Sequence, residues 1–238
     1  QEWTVPAAGT YRIIATAGSD GWNGGLGARL RGDFTLNEDH RLFILIGQKG
    51  SIGNGSGNWW ASGGGGGTFI ASATEFSSIS SNNLLIVAGG GGGSNASSGS
   101  IGHVGEDANI VQISSPLDVS GGSGSSNGGS GGAGFSSNGQ GAGITSLSFL
   151  NGGIGADPNS SFSGYGGFGG GGSGGGNPGG GGGGLSGGNY GSLGFNNNLH
   201  GNNAGGMAGT SYNSGINQDN QAGVNEGHGK VIITYIGN

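Results

Sequence analysis

Hydrophobic and polar positions alternate over residues 10–16, where Tyr11, Ile13 and Ala15 oppose Arg12, Ile14 and Thr16. Residues 29–36 repeat the pattern, with Leu30, Phe34 and Leu36 on one side and Arg29, Arg31, Asp33 and Thr35 on the other. A period of two is that of a strand with one buried face. The polar run Asn37-Glu38-Asp39-His40 then turns the chain. Residues 42–46 are apolar throughout, which predicts a strand buried on both faces. Further strands are expected over 68–72, 84–88, 109–113 and 230–236. No stretch carries an amphipathic helical pattern, so the expected class is all-β.

Over residues 121–210 this patterning stops. Glycine fills 38 of those 90 positions, against 30 of the other 148, and Asp157 is the only charged residue among them. A flexible linker has such a composition. A folded alternative exists, because chains without β-carbons can approach closely as extended threefold helices. Their outward-pointing N–H and C=O groups must then find partners on neighbouring chains. Ordering glycine is entropically costly, so such a bundle needs a rigid platform, and the flanking strands supply one. Single bulky residues punctuate the tract at Phe135, Phe149, Phe162, Tyr165, Phe168, Tyr190 and Phe195, where they are expected to seal the edges of a slab. The chain therefore reads as one domain, 1–238. Sandwich strands lie mainly in 1–120 and 226–238, and an inserted bundle of polyglycine-type helices lies mainly in 121–210, joined by the runs 63–67 and 89–93.

Composition narrows the class. With 68 glycines but only 4 prolines, and the glycines in blocks, collagen is excluded. Leu, Ile, Val and Phe together are 46 of 238 residues, just under the ~20 % that marks disorder, but that marker also requires high net charge and the chain carries −6. Six basic against twelve acidic residues exclude a nucleic-acid binder, which neutralises phosphate with Lys and Arg. No window reaches the ~20 apolar residues of a membrane-spanning helix. Cysteine is absent, so no disulfide staples the fold. A chain that begins at Gln1 and has Met207 as its one methionine is expected to be a processed secreted protein or an excised fragment. Sequons at Asn54, Asn95 and Asn159 fit secretion, although they also arise by chance in a chain this rich in Asn and Ser.

A family resemblance runs through these blocks. Trp3-Thr4-Val5-Pro6 with Gly9 and Tyr11, then Leu45-Ile46-Gly47-Gln48, open it. Trp60-Ala61 before the glycines at 63–67, and Leu85-Ile86-Val87-Ala88 running into 89–93, continue it. Gly167-Phe168-Gly169-Gly170 and Glu226-Gly227-His228-Gly229-Lys230-Val231 complete it in the same order. The chain thereby resembles the glycine-rich domain of the anaplastic lymphoma kinase and leukocyte tyrosine kinase receptor ectodomains, which also occurs in microbial surface proteins. Each glycine run is non-specific by itself, and the ordered terminal blocks carry the likeness. It implies a jelly-roll-like sandwich similar to the tumour necrosis factor fold, with inserted polyglycine-II helices. The chain lacks the receptors' cysteines, transmembrane helix, growth-factor-like module and kinase, so receptor signalling does not carry over.

Candidate chemistry is thin. Gly-x-Ser-x-Gly occurs around Ser130, Ser173 and Ser186, but the hydrolase motif needs a strand–turn–helix junction with His and an acid nearby. Residues 152–157 match the start of a calcium-binding nonapeptide, but only once, and Asn159 stands where a large apolar residue belongs. His40, His103, His200 and His228 share no metal-ligand spacing, and His228 is expected to bond locally at the start of the last strand. No glycine run ends in the Gly-Lys-Ser/Thr of a phosphate loop. No catalytic, cofactor or metal site is expected. Trp59 and Trp60 are the candidate binding residues, since exposed aromatics stack on sugars or anchor partners, while Trp60 also suits a cap on the slab. The expected function is that of a secreted, non-enzymatic structural or adhesive module that self-associates, its partners being itself or an extracellular protein or glycan. The alternative is a ligand-binding ectodomain fragment of a larger surface protein.

Overall fold

The first strands are β1 (Glu2–Thr4), β2 (Gly9–Thr16), β3 (Gly27–Leu36), β4 (Arg41–Leu45), β5 (Trp59–Ala61), β6 (Thr68–Ser72) and β7 (Leu84–Ala88); all but β1 and β5 match strands expected from the patterning. β8 (Asn95–Ser97), β9 (Ser100–His103), β10 (Asn109–Ile110), β11 (Thr210–Asn213), β12 (Ile216–Asn225) and β13 (Lys230–Gly237) follow. The computed structural model describes residues 1–22, 24–53, 59–97, 100–103, 105–110, 119–125, 128–141, 145–158, 160, 162–175, 178–191 and 205–237. The expected strand at 109–113 is therefore seen at 109–110 only, and its remainder lies outside the described residues. Three short 3-10 turns are the helical content of those residues, so the protein is all-β.

Two sheets face each other. One has the order β1-β4-β6-β7-β11-β10, antiparallel except for the parallel β10–β11 pair, and the other the order β12-β3-β2-β13, antiparallel throughout. The inward rows of β2 and β3, with Tyr11, Ile13, Ala15, Leu30, Phe34 and Leu36, meet Leu42, Ile44, Ile70, Ile86 and Ala88 of the larger sheet. The intervening positions of that sheet, Phe43, Leu45, Phe69 and Val87, point the other way and are buried as well. The uninterrupted apolar run at 42–46 thus serves two cores, as a doubly buried strand must. Thr68 ties the layers at their glycine end, donating to Thr16 O (2.7 Å) and accepting from Gly47 N (2.9 Å).

The second core corrects one expectation. Phe135 and Phe149 do not seal a slab edge: both are buried, with Leu185, against the outer face of the six-stranded sheet. Phe149 stacks on Phe69 (5.1 Å between centroids) and on Phe135 (5.7 Å), so aromatic packing clamps the glycine-rich region to its platform. The sandwich also draws on more of the chain than 226–238, because β11 and β12 occupy 210–225. β12 has no alternation to betray it; it is held by its ladder to β3 and by the Arg29–Asp219 pair.

The outward row of β2 and β3 is an ionic surface. Arg12 donates to both carboxylate oxygens of Asp33 (2.8 and 2.9 Å), and Asn217 Nδ2 adds a third bond (3.1 Å). These donors lower the Asp33 pKa from 3.8 to about 2, the Arg12 bond first among the causes. A carboxylate with a depressed folded pKa stabilises fully above its unfolded value and loses that contribution as pH falls through about 2. Stability should therefore decline between pH 4 and pH 2, and Asp33→Asn should flatten that part of the curve. Chemical denaturation across pH 2–6 measures it, and equal slopes for wild type and variant would refute the assignment.

Candidate functional site

Where the strands end, the backbone does not stop bonding. Segment 62–67 donates from Ser62 and Gly65 to Ser94 and Gly91, from Gly63 and Gly66 to Ser51 and Gln48, and from Gly64 and Gly67 to Gly172 and Gly169. Each partner pair recurs after three residues, so the amides point in three directions in turn. The carbonyls of the same segment accept from Gly18 and Gly21, from Gly180 and Gly183, and from Gly167. Segment 180–185 repeats the arrangement. It donates to 62 and 65, to 130 and 133, and to 207 and 210, and its carbonyls accept from segments 90–93 and 188 and from Gly172. Both segments are thus enclosed by bonded neighbours, and none of the glycines within them has a positive φ. A β-carbon on Gly64, Gly66, Gly181 or Gly182 would fall onto a neighbouring carbonyl, which is why these positions are glycine.

The lattice absorbs two of the three hydrolase-like serines. Ser130 and Ser173 are 1 % exposed, and Ser173 N donates to Ser130 Oγ (2.9 Å) with the two hydroxyls 3.3 Å apart. Ser186 bonds Thr210 across 2.9 Å. Each hydroxyl is committed to a neighbouring segment. Tyr190 lies over Gly129 and Gly175, and its burial raises the phenol pKa to about 12.

A buried acid lies between two of these segments. Asp20, 1 % exposed, accepts at Oδ1 from the amides of Trp22 (3.1 Å) and Gly24 (3.2 Å). Its Oδ2 accepts from Ser94 Oγ (2.7 Å), Ser94 N (3.1 Å) and Ser62 Oγ (3.0 Å). The carboxylate thereby joins the loop that carries Trp22 to segments 62–67 and 90–94. Trp22 packs on Trp60 with centroids 4.5 Å apart and planes at 37°. Trp60 therefore belongs to a tryptophan pair rather than standing alone, and Trp59 precedes it in β5. Neither Asp20 nor Trp22 was flagged by sequence reasoning. An acid between small residues in a chain this poor in charge was the available signal.

A second feature is a groove of about 810 Å³ between β4, the start of the chain and the glycine-rich region, lined by Phe43, Phe76, Phe149, Phe168, Gln48 and His228 among others. Phe76 and Phe168 are 42 % and 38 % exposed there. His228 Nδ1 accepts from Lys49 N (3.2 Å), a partner far away in sequence rather than the local one expected of it. Among the described residues, no three His, Asp or Glu side chains gather as a metal site would need, and no helix is long and apolar enough to cross a membrane. Of the sequons, Asn54 and Asn159 lie outside the described residues. Asn95 is 4 % exposed and pairs with Ala61 and His103 inside the β5-β8-β9 sheet, so its side chain is not open to a glycan in this fold.

No family model matches the chain, and a search of curated proteins finds no match to it.

Proposed function

We propose that this chain is a non-enzymatic, extracellular structural or adhesive module: a jelly-roll-like sandwich carrying a polyglycine-II-type bundle, which works by self-association. The observation that carries this reading is the period-three bonding of segments 62–67 and 180–185. Threefold extended chains present one amide in each of three directions, and lateral bonding to flanking chains is what that geometry supports. A slab of this kind is all backbone inside and uses its interior positions for mutual packing. Its chemistry is then confined to its surface, where weak contacts gain strength by repetition. The ordered residue blocks that resemble the receptor glycine-rich domains support the same fold.

The aromatic groove favours a second reading, a ligand-binding part of a larger surface protein, because concave apolar sites with a few polar groups suit small ligands. Sedimentation velocity and negative-stain microscopy of native material separate the two. Self-association is expected to grow with concentration over the micromolar range. A strictly monomeric particle at every concentration would leave the ligand-binding reading in front.

A further inference from the structure

Among the described residues the two main sheets have four edges, and those at β1 and β12 are blunted. β1 is three residues long and carries the Glu2–Arg41 ion pair. β10 is described over Asn109–Ile110 alone. β12 is long, but its register shifts twice, and it carries Asp219 with a row of Asn and Gln. Short edges, bulges and charges are the devices by which sheets avoid pairing with other chains. β13 has none of them over residues 231–235. It pairs regularly with β2 from Lys230 to Tyr235, and Val231-Ile232-Ile233-Thr234-Tyr235 contains no charge and no proline.

The open side of β13 follows from the ladder. Ala17 N donates to Ala28 O, so the odd-numbered residues of β2 bond β3 and the even-numbered ones bond β13. Lys230, opposite Thr16, accordingly donates to Thr16 Oγ1 (2.9 Å). The N–H and C=O groups of Val231 and Ile233 therefore face away from β2, at the outer edge of the sheet. The side chains tell the same story. Val231, Ile233 and Trp3 pack against the inter-sheet core yet are only partly buried, while Ile232, Tyr235 and Ile236 are 43 %, 49 % and 44 % exposed. The core runs out to this edge and stops there uncovered.

We infer that β13 is the self-association surface, where two copies pair antiparallel about a two-fold axis at Ile233 and their four-stranded sheets join into one. The occupant is a second copy because the strand is complementary to itself. With Ile233 opposite Ile233 of the other copy, Val231 stands opposite Tyr235 on the core side and Ile232 opposite Thr234 on the outer side. Every apolar residue of the regular segment then meets an uncharged neighbour, and cross-strand pairs of this type stabilise a sheet. A two-fold interface uses one patch twice and closes on itself. This inference rests on the self-association reading above and names its surface.

The chain has no cysteine, so single-cysteine variants report the pairing directly. Opposed residues of an antiparallel pair have Cα atoms ~4.5–5.5 Å apart, inside the ~4.4–6.8 Å range of disulfides. Ile233→Cys is expected to form a disulfide-linked dimer under mild oxidation, whereas Gln221→Cys on β12 remains monomeric on a non-reducing gel. Should Ile233→Cys fold poorly, a mixture of Ile232→Cys and Thr234→Cys, both at exposed positions, tests the same register. Ile232→Lys with Thr234→Lys places like charges opposite each other twice and is expected to weaken association roughly a hundredfold with an unchanged melting temperature. If wild type associates but neither cross-linking nor the lysine variant distinguishes β13, this surface is wrong and self-association stands. If wild type is monomeric at all concentrations, both fall.

Discussion

Replacing Gly181 with valine is expected to lower the melting temperature by roughly 4–10 °C, from a net loss of about 2–2.5 kcal/mol in a domain of this size. Gly181 donates to Ser130 O (3.1 Å) and accepts from Gly172 N (2.7 Å), in the middle of the enclosed segment. A β-carbon there falls onto Gly188 O and against Gly132 N. Both obstacles are backbone, and each is tied elsewhere: Gly188 N to Gly182 O, and Gly132 N to Gly188 O, both at 2.8 Å. No flexible side chain can swing aside, so a whole segment must move and its lateral bonds move with it. Overpacking typically costs ~1–3 kcal/mol, and the absence of any soft neighbour puts this site at the upper end. The entropy that valine removes from the unfolded chain, about 0.4–1 kcal/mol, offsets only part of it. Ser125→Val, which keeps the Ser125 N to Gly129 O bond near the rim, should change stability by no more than about 0.5 kcal/mol. Thermal melts followed by circular dichroism compare the two, and equal melting temperatures would mean that the slab is loosely packed.

The strands were legible because their side chains carry a period. Tyr11, Ile13 and Ala15 point one way, and the uninterrupted run at 42–46 divides between two cores, each as patterning predicts. β12 was not legible, since an edge strand of amides and one acid holds its place by ladder bonds rather than by a buried row. Inside the slab the difficulty is of another kind. Gly64 and Gly65 differ only in which carbonyl each amide meets, and a residue without a side chain writes no such choice into the sequence. One trace was readable. Gly47, Gly50 and Gly53 recur every third residue, and added β-carbons at the first two would strike Gly66 and Gly63, so the close backbone packing extends outside the dense tract. The same spacing at Gly18 and Gly21 marks the neighbour that meets Gln48 and Ser51. Trp60 was identified from sequence, but its partner Trp22 lies 38 positions earlier with no pattern connecting them.

Removing the buried carboxylate, by Asp20→Ala, is expected to cost about 2–6 kcal/mol, because it leaves the fixed amides of Trp22 and Gly24 without an acceptor at about 1–3 kcal/mol each. Five donors converge on that carboxylate: the amides of Trp22, Gly24 and Ser94 and the hydroxyls of Ser62 and Ser94. The hydroxyls have other uses to turn to, since Ser62 Oγ also lies 3.2 Å from Ser94 O. The amides of Trp22 and Gly24 do not rotate, and each buried donor left without an acceptor costs about 1–3 kcal/mol. Asp20→Asn separates charge from shape. It retains one acceptor for the Trp22 and Gly24 amides and turns its NH2 toward the serines, whose hydroxyls can rotate to accept. Ser94 N–H keeps Ser62 Oγ as an acceptor (2.7 Å), so asparagine should fall between wild type and alanine. Because Asp20 fixes the loop that sets Trp22 on Trp60, near-ultraviolet circular dichroism of the tryptophan pair should weaken in the same order as stability. Urea denaturation gives the stabilities. An alanine variant within about 1 kcal/mol of wild type, a single ordinary hydrogen bond's worth, would show that the five donors find other partners and that the acid does not tie the Trp22 loop to Ser62 and Ser94.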